Sequence, residues 1–263
     1  MVRQPFVTLI PIHFPTVRPG EKLTKVVRNC LKEEGLTLRR GDILAVVSKI
    51  VSACEERIVK LTDLQVTNRT SRLAVRWKLD ELLAAAVMRE ADEILGGVNG
   101  FLLTMKNGFL TPNAGIDLKN SPPGTATLWP SNPDRSAASL RKSLEHLYHA
   151  RIGVVIVDSR VTPLRLGTVG LAIGLSGFSP IRDHRGVLDI FGRPIRVTQT
   201  NVADDLAAAA HLLMGESSEH IGAVLIRGTA TRMDTVRKGQ PAKMSRQKCL
   251  IGSSLMSREN STR

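Results

Sequence analysis

The 263-residue chain carries 37 basic and 24 acidic side chains, a formal net charge of +13, with 42% hydrophobic and 3% aromatic residues. That composition excludes a disordered chain and leaves one large domain or two small ones, either able to bury a core. No apolar run reaches the ~20 residues of a membrane helix, and the run 6–10 is too short for a secretory signal, so a cytoplasmic protein without a membrane partner is expected.

In chain order, Val7 to Ile12 reads as a strand, followed by a proline-bearing connection and a helix from near Glu21 to Gly35. Arg40, Gly41 and Asp42 turn into a β-branched run, Ile43 to Val51, expected to be a buried strand. Leu79 to Leu95 has helical spacing and is expected to stop at Gly96 and Gly97. Phe101 to Met105 and Phe109 to Thr111 flank Asn107-Gly108, the favoured pair for a tight hairpin, which leads into residues 113–117, NAGID.

Ser136 to Ala150 reads as a helix with Arg141, Lys142 and Glu145 exposed. Gly153 to Val157 reads as a buried strand ending in Asp158 and Ser159, and Ile195 to Val202 as another strand. Asp204 and Asp205 open an alanine-rich helix ending near Met214, and Ala223 to Arg227 forms the last strand. Helices mixed with strands and hairpins give an α/β (mixed α+β) class and argue against a purely parallel sheet.

Asp158 is the sharpest chemical clue. It interrupts an apolar strand at its carboxyl end, where open α/β sheets place ligands, and a carboxylate there is costly unless paired or metal-bound. The alternative is a side chain that only caps the following turn. Glu216 follows the alanine-rich helix at its negative end, unfavourable by about 0.3–1 kcal/mol when exposed, so a positive neighbour or solvent must offset it. Asp117 is weaker on its own. With Ser159 as a neutral oxygen donor, the three carboxylates would suit hard cations such as Mg²⁺ or Mn²⁺.

Glycines 167, 170, 174 and 177 match neither a P-loop nor GxGxxG, and close backbone packing explains them better than a phosphate cradle. The six histidines show no metal-ligand spacing, and no GxSxG elbow marks a nucleophile. Cys30, Cys54 and Cys249 are odd in number and far apart, which fits reduced, structural thiols. Nine basic and two acidic residues lie from Arg227 to the end, either a solvated tail or part of a polyanion site. Few aromatic rings leave little for stacking bases, so nucleic acid is not the expected partner.

The segments GDILAVVSKIVSA, NAGIDLKN, RIGVVIVDS, GTVGLAIGLSG, DIFGRPIRVTQTNVADDLAAAAHLLMGE and AVLIRG stand in the order and spacing of the coenzyme F420:L-glutamate ligase family, the coenzyme F420-0:γ-glutamyl ligases. The chain resembles that family from about Pro11 to Gly228. The resemblance implies an archaeal-type, GTP-dependent amide ligase that adds γ-linked glutamate to a deazaflavin precursor, coenzyme F420-0. It also implies a homodimer and a fold of two intertwined parts, here residues 1–228; the basic segment 229–263, marked by its charge, is expected to pack on the same unit.

Position by position, the resemblance implies that Asp117 and Asp158 bind one divalent metal and Ser159 and Glu216 a second, with a monovalent cation such as K⁺ as a further candidate. It places Phe14, Pro15, Thr16, Val17, Ser48, Lys49 and Asn120 at GTP, together with Met214, Gly215, Ser217, Ser218, Glu219, His220 and Ile221. Arg165, beside the glycine-rich segment, is expected to clamp an anionic group with its planar fork, against the alternative of a surface arginine. Ala53, Cys54 and Leu166 depart from the family pattern where cations are common, and bear on the acceptor and nucleotide. The competing readings are an amino-acid ligase with another phosphorylated or carboxylated acceptor, and a non-catalytic nucleotide or nucleic-acid binder.

Overall fold

The computed structural model describes residues 6–234 and 243–259. It divides into two compact units, Met1–Arg57 with Trp129–Ala242, and Ile58–Leu128 with Lys243–Arg263. Among the described residues, no helix is long and apolar enough to cross a membrane.

The first unit opens with β1 (Thr8–His13), α1 (Leu23–Glu33), β2 (Ile43–Val47) and α2 (Ser48–Cys54). The expected strand Ile43 to Val51 therefore ends at Val47. Its β-branched second half, Ile50 and Val51, is helical because the chain turns as it leaves the sheet, and tertiary context overrides intrinsic preference.

The second unit holds β3 (Ile58–Lys60), α3 (Asn68–Trp77), α4 (Glu81–Glu90), β4 (Glu93–Val98), β5 (Phe101–Lys106), β6 (Phe109–Pro112) and β7 (Thr125–Thr127). Asp80 caps α4 by accepting the Leu82 and Leu83 N–H groups, both at 2.9 Å. That helix stops at Glu90 rather than running to Leu95, because Glu93 to Val98 pair antiparallel with β5. Gly96 and Gly97 thus lie in a strand. The β5–β6 hairpin turns on Asn107 and Gly108, both at positive φ, as the sequence requires. α3 carries a capping box between Thr67 and Thr70 and was not anticipated from the sequence.

The first unit resumes with α5 (Pro133–Tyr148), β8 (Gly153–Val161), β9 (Thr168–Ser176), β10 (Ile181–Asp183), β11 (Gln199–Asn201), α6 (Val202–Met214) and β12 (Ile221–Arg227). α7 (Leu250–Glu259) belongs to the second unit. α5 starts earlier than expected, capped by Asn132 with Pro133 in its first turn. Arg141 is buried rather than exposed, and donates from Nε to the Ser176 hydroxyl at 3.0 Å. Strand β11 is three residues long, shorter than the expected Ile195 to Val202, because its partner β10 pairs over only three residues and Asn201 accepts the Asp204 N–H to start α6.

The central sheet of the first unit runs β1-β12-β2-β8-β9, mixed, with β2 and β8 its parallel pair. α6 lays Ala203, Leu206, Ala207, Ala210 and Met214 on one face, against Val155, Val157, Ala172 and Val224. The glycines of β9 are packing devices, as their pattern suggested. A Cβ on Gly170 would collide with the Ala207 carbonyl, and one on Gly174 with the backbone of Pro133, so both helices close on the strand. As the edge strand, β9 also presents N–H groups that β8 cannot take. Asp134 accepts from Leu175 at 2.9 Å and Asp204 from Ala172 at 3.1 Å, each from the first turn of a helix, where a carboxylate is favoured.

Candidate active site

β2 and β8 lie parallel with Val47 opposite Val157, so the next residues, Ser48 and Asp158, fall side by side. Asp158 sits within β8, which continues to Val161. The Ser48 hydroxyl donates to Asp158 Oδ1 at 2.9 Å, and the Trp129 indole N–H donates to Oδ2. Ser48 is 5% exposed and Trp129 3%, so both donors are fixed by packing. Arg57 Nε donates to the Trp129 carbonyl at 3.0 Å, which ties the residues after α2 to the segment before α5. The carboxylate is thus oriented by two side chains distant in sequence. Ser159, half-buried, is opposite Gly170, and Lys49 is half-buried on the first turn of α2.

Glu216 follows Gly215, the C-cap of α6. Its Oε1 accepts the Thr168 hydroxyl at 2.7 Å and lies 2.9 Å from His211 Nε2. His211, in the last turn of α6, sets a ring nitrogen beside this acid at the helix end. Arg165 is exposed in the β8–β9 loop, between the fully exposed Leu164 and Leu166.

The expected nucleotide segments 14–17 and 214–221 meet through the Phe14 N–H, which donates to the His220 carbonyl at 2.8 Å. Phe14 and Met214 are buried, the first against Gly222 and the second in the core beside Ile221, so their side chains serve packing. Pro15, Thr16, Ser217, Ser218, Glu219 and His220 are exposed. The Ser217 N–H donates to Glu219 at 2.8 Å and holds its carboxyl below the usual range.

In the second unit, Asp117 bridges Thr127 through its backbone, and its Oδ1 accepts the Lys119 N–H at 2.7 Å. Asn120 is exposed at positive φ. Among the described residues, no group of three His, Cys, Asp or Glu side chains could hold a metal ion. In the first unit the structure assembles two oriented carboxylates, each with its own donors. Trp129, Thr168 and His211 escaped the sequence reading because each acts through a partner brought to it by the fold.

These features define an α/β protein that carries two oriented carboxylates in its first unit. A family model described as F420-0:Gamma-glutamyl ligase matches residues 11–228. The protein of Methanopyrus kandleri named coenzyme F420:L-glutamate ligase is 36% identical over 219 residues, 83% of this chain and 85% of its own. Its namesake from Methanothermobacter thermautotrophicus is 37% identical over 215 residues, 81% and 85% of the two chains. That from Archaeoglobus fulgidus is 36% identical over 223 residues, 84% and 88%. The chain belongs to the F420-0:γ-glutamyl ligase family.

Proposed function

We propose that the protein joins L-glutamate to coenzyme F420-0 through a γ-linked amide, using GTP and a divalent cation, by way of an acyl phosphate. The observation that carries this reading is the Asp158 carboxylate, held by Ser48 and Trp129 on β8 in a chain of this family. Asp158 and Glu216, with the hydroxyls of Ser48, Ser159 and Thr168, offer hard oxygen donors, which suit Mg²⁺ or Mn²⁺. Asp117 is the third carboxylate of the proposal. When bound, such cations neutralise charge gathered between phosphates and a carboxylate.

The chain's own residues then have distinct tasks. Ser48 and Trp129 orient Asp158, while Thr168 and His211 orient Glu216. Lys49, Asn120 and the exposed parts of 14–17 and 214–221 hold GTP, with Phe14 and Met214 contributing backbone groups. Arg165 clamps an anionic group of substrate. An acceptor carboxylate oxygen attacks the γ-phosphorus as the bond to GDP breaks. The glutamate amine then attacks the acyl carbon, phosphate leaves, and the amine proton passes to water. A net charge of +13 helps recruit reactants that are all anionic. A cytoplasmic homodimer belongs to the same reading.

Purified protein with GTP, Mn²⁺, L-glutamate and coenzyme F420-0 should yield a glutamylated product by mass spectrometry, with one GDP and one phosphate per bond. Asp158→Asn should abolish it. No product in the complete mixture, with product from another carboxylated acceptor, would replace this reading.

A further inference from the structure

A groove of about 880 Å³ lies between α1, α2 and α5, and it contains none of the residues placed at the nucleotide or the metal. Along α5 it extends from Ser131 to Leu147, about 24 Å at the rise of an α-helix. It begins two residues after Trp129, whose indole holds Asp158, and the short α2 connects the two places, with Ser48 at one end and Cys54 on the groove.

The groove has an unbalanced charge. Lys22, Lys25 and Arg28 on the α1 side and Arg135 on the α5 side line it, and none of the four has an ion pair among the described residues. Only two acids face these four cations, and both are held by neutral donors. Glu55 accepts the Ser131 N–H at 2.8 Å and the Ser136 hydroxyl, and Glu21 accepts the Arg18 N–H at 3.0 Å. α1 also begins here, so its positive end adds to the field. Between the cations, the floor is apolar, with Val51 and Leu140 buried. Ser139 and Ser143 add hydroxyls along the α5 wall.

Anionic groups spaced along a thin aliphatic chain match such a surface. From this juxtaposition we infer that the α1–α5 groove is a track for an acidic chain of γ-linked glutamates, the chain that repeated rounds of the proposed reaction would make. Each γ-linked residue presents one α-carboxylate to the cations and two methylenes to the floor. A groove of this length accommodates several residues in extended form. The track would hold a grown chain near the site that extends it. The assignment rests on the ligase reading above, since that reaction makes the chain.

The test uses the full-length protein and needs no turnover. A fluorescein-labelled tri-γ-glutamate peptide is titrated by anisotropy into the unmodified protein and into the Lys25→Ala/Arg28→Ala double variant. Both residues are exposed, and an unchanged melting temperature confirms that the variant is folded. The acidic peptide should bind the unmodified protein, weaken with salt, and bind the variant about tenfold less tightly, as expected for two lost charge contacts. The same peptide with its α-carboxylates amidated should not bind. Equal affinity for the two proteins, no binding to the unmodified protein, or equal binding of the amidated peptide overturns the assignment. So does tripolyphosphate binding that the double variant loses while the peptide binds neither protein. Product formation by the unmodified protein tests the ligase reading separately, so the two can fail independently.

Discussion

The indole N–H of Trp129 and the carboxylate of Asp158, 29 positions apart in sequence, form a hydrogen bond in which the donor is almost fully buried. A carboxylate with one oxygen on an indole and the other on the Ser48 hydroxyl cannot turn freely, so its direction is set before any ligand arrives.

Trp129→Phe leaves an aromatic side chain in place, trims the indole and removes the donor. A hydrogen bond to a charged group contributes about 1.5–3 kcal/mol, so ligase kcat/KM should fall at least tenfold. The melting temperature should change by only a few degrees. Parallel turnover and thermal-melt measurements check this, and unchanged kcat/KM would remove Trp129 from the site.

Asp42 and Arg227 make a second long-range pair, this one structural. Arg227 donates from Nε to Oδ1 at 2.9 Å and from Nη2 to Oδ2 at 2.7 Å, and Asp42 is 1% exposed. Asp42→Ala leaves the guanidinium without its carboxylate and opens the turn into β2. It should cost about 2–3 kcal/mol, a drop of about 5–10 °C in melting temperature. Calorimetry on the variant and on Arg227→Met measures it.

Asp204 gives the pH dependence a sign. Burial pushes its carboxyl above the usual range, more than the Ala172 N–H and nearby Arg160 pull it down. The native state therefore binds more protons than the unfolded state just above the ordinary carboxylate pKa. This residue's contribution to stability is greatest in acid and declines as pH rises from the ordinary Asp value, about 3.9, through the raised one. Asp204→Asn retains an acceptor for Ala172 and removes that decline. Urea unfolding at several pH values should show a difference between variant and parent that grows across this interval; a constant difference contradicts it.

Cys30 and Cys54 are both pushed up to about 11, chiefly by burial. Their thiolate fraction at pH 8 is about a hundredfold below that of an ordinary exposed thiol. Iodoacetamide should label both slowly in the native protein and rapidly in urea, as read by peptide mass spectrometry.

Hydrophobic periodicity and turn chemistry made much of the fold legible. The Asn107-Gly108 hairpin, the Asp204 start of α6 and the core strand after Gly153 all follow from local rules, because neighbours in sequence decide them. The errors have a common origin. Ile50 and Val51 have strand preference and are helical, Glu93 to Leu95 continue a helical pattern and are a strand, and Arg141 has the position of an exposed cation and is buried against Ser176. In each case tertiary packing decides: Glu93 to Leu95 are claimed by the next strand, and the partner of Arg141 lies 35 positions along the chain.

The same division holds for chemistry. The sequence alone marked Asp158 and Glu216 as carboxylates in awkward places, because an acid ending an apolar strand or a helix requires compensation wherever it occurs. Only the tertiary structure supplied Trp129 and Ser48 for the first, His211 and Thr168 for the second, and the cationic groove between α1 and α5. Local preference acts over a few residues, whereas orientation, burial and unbalanced charge are properties of surfaces that exist only after distant segments have packed.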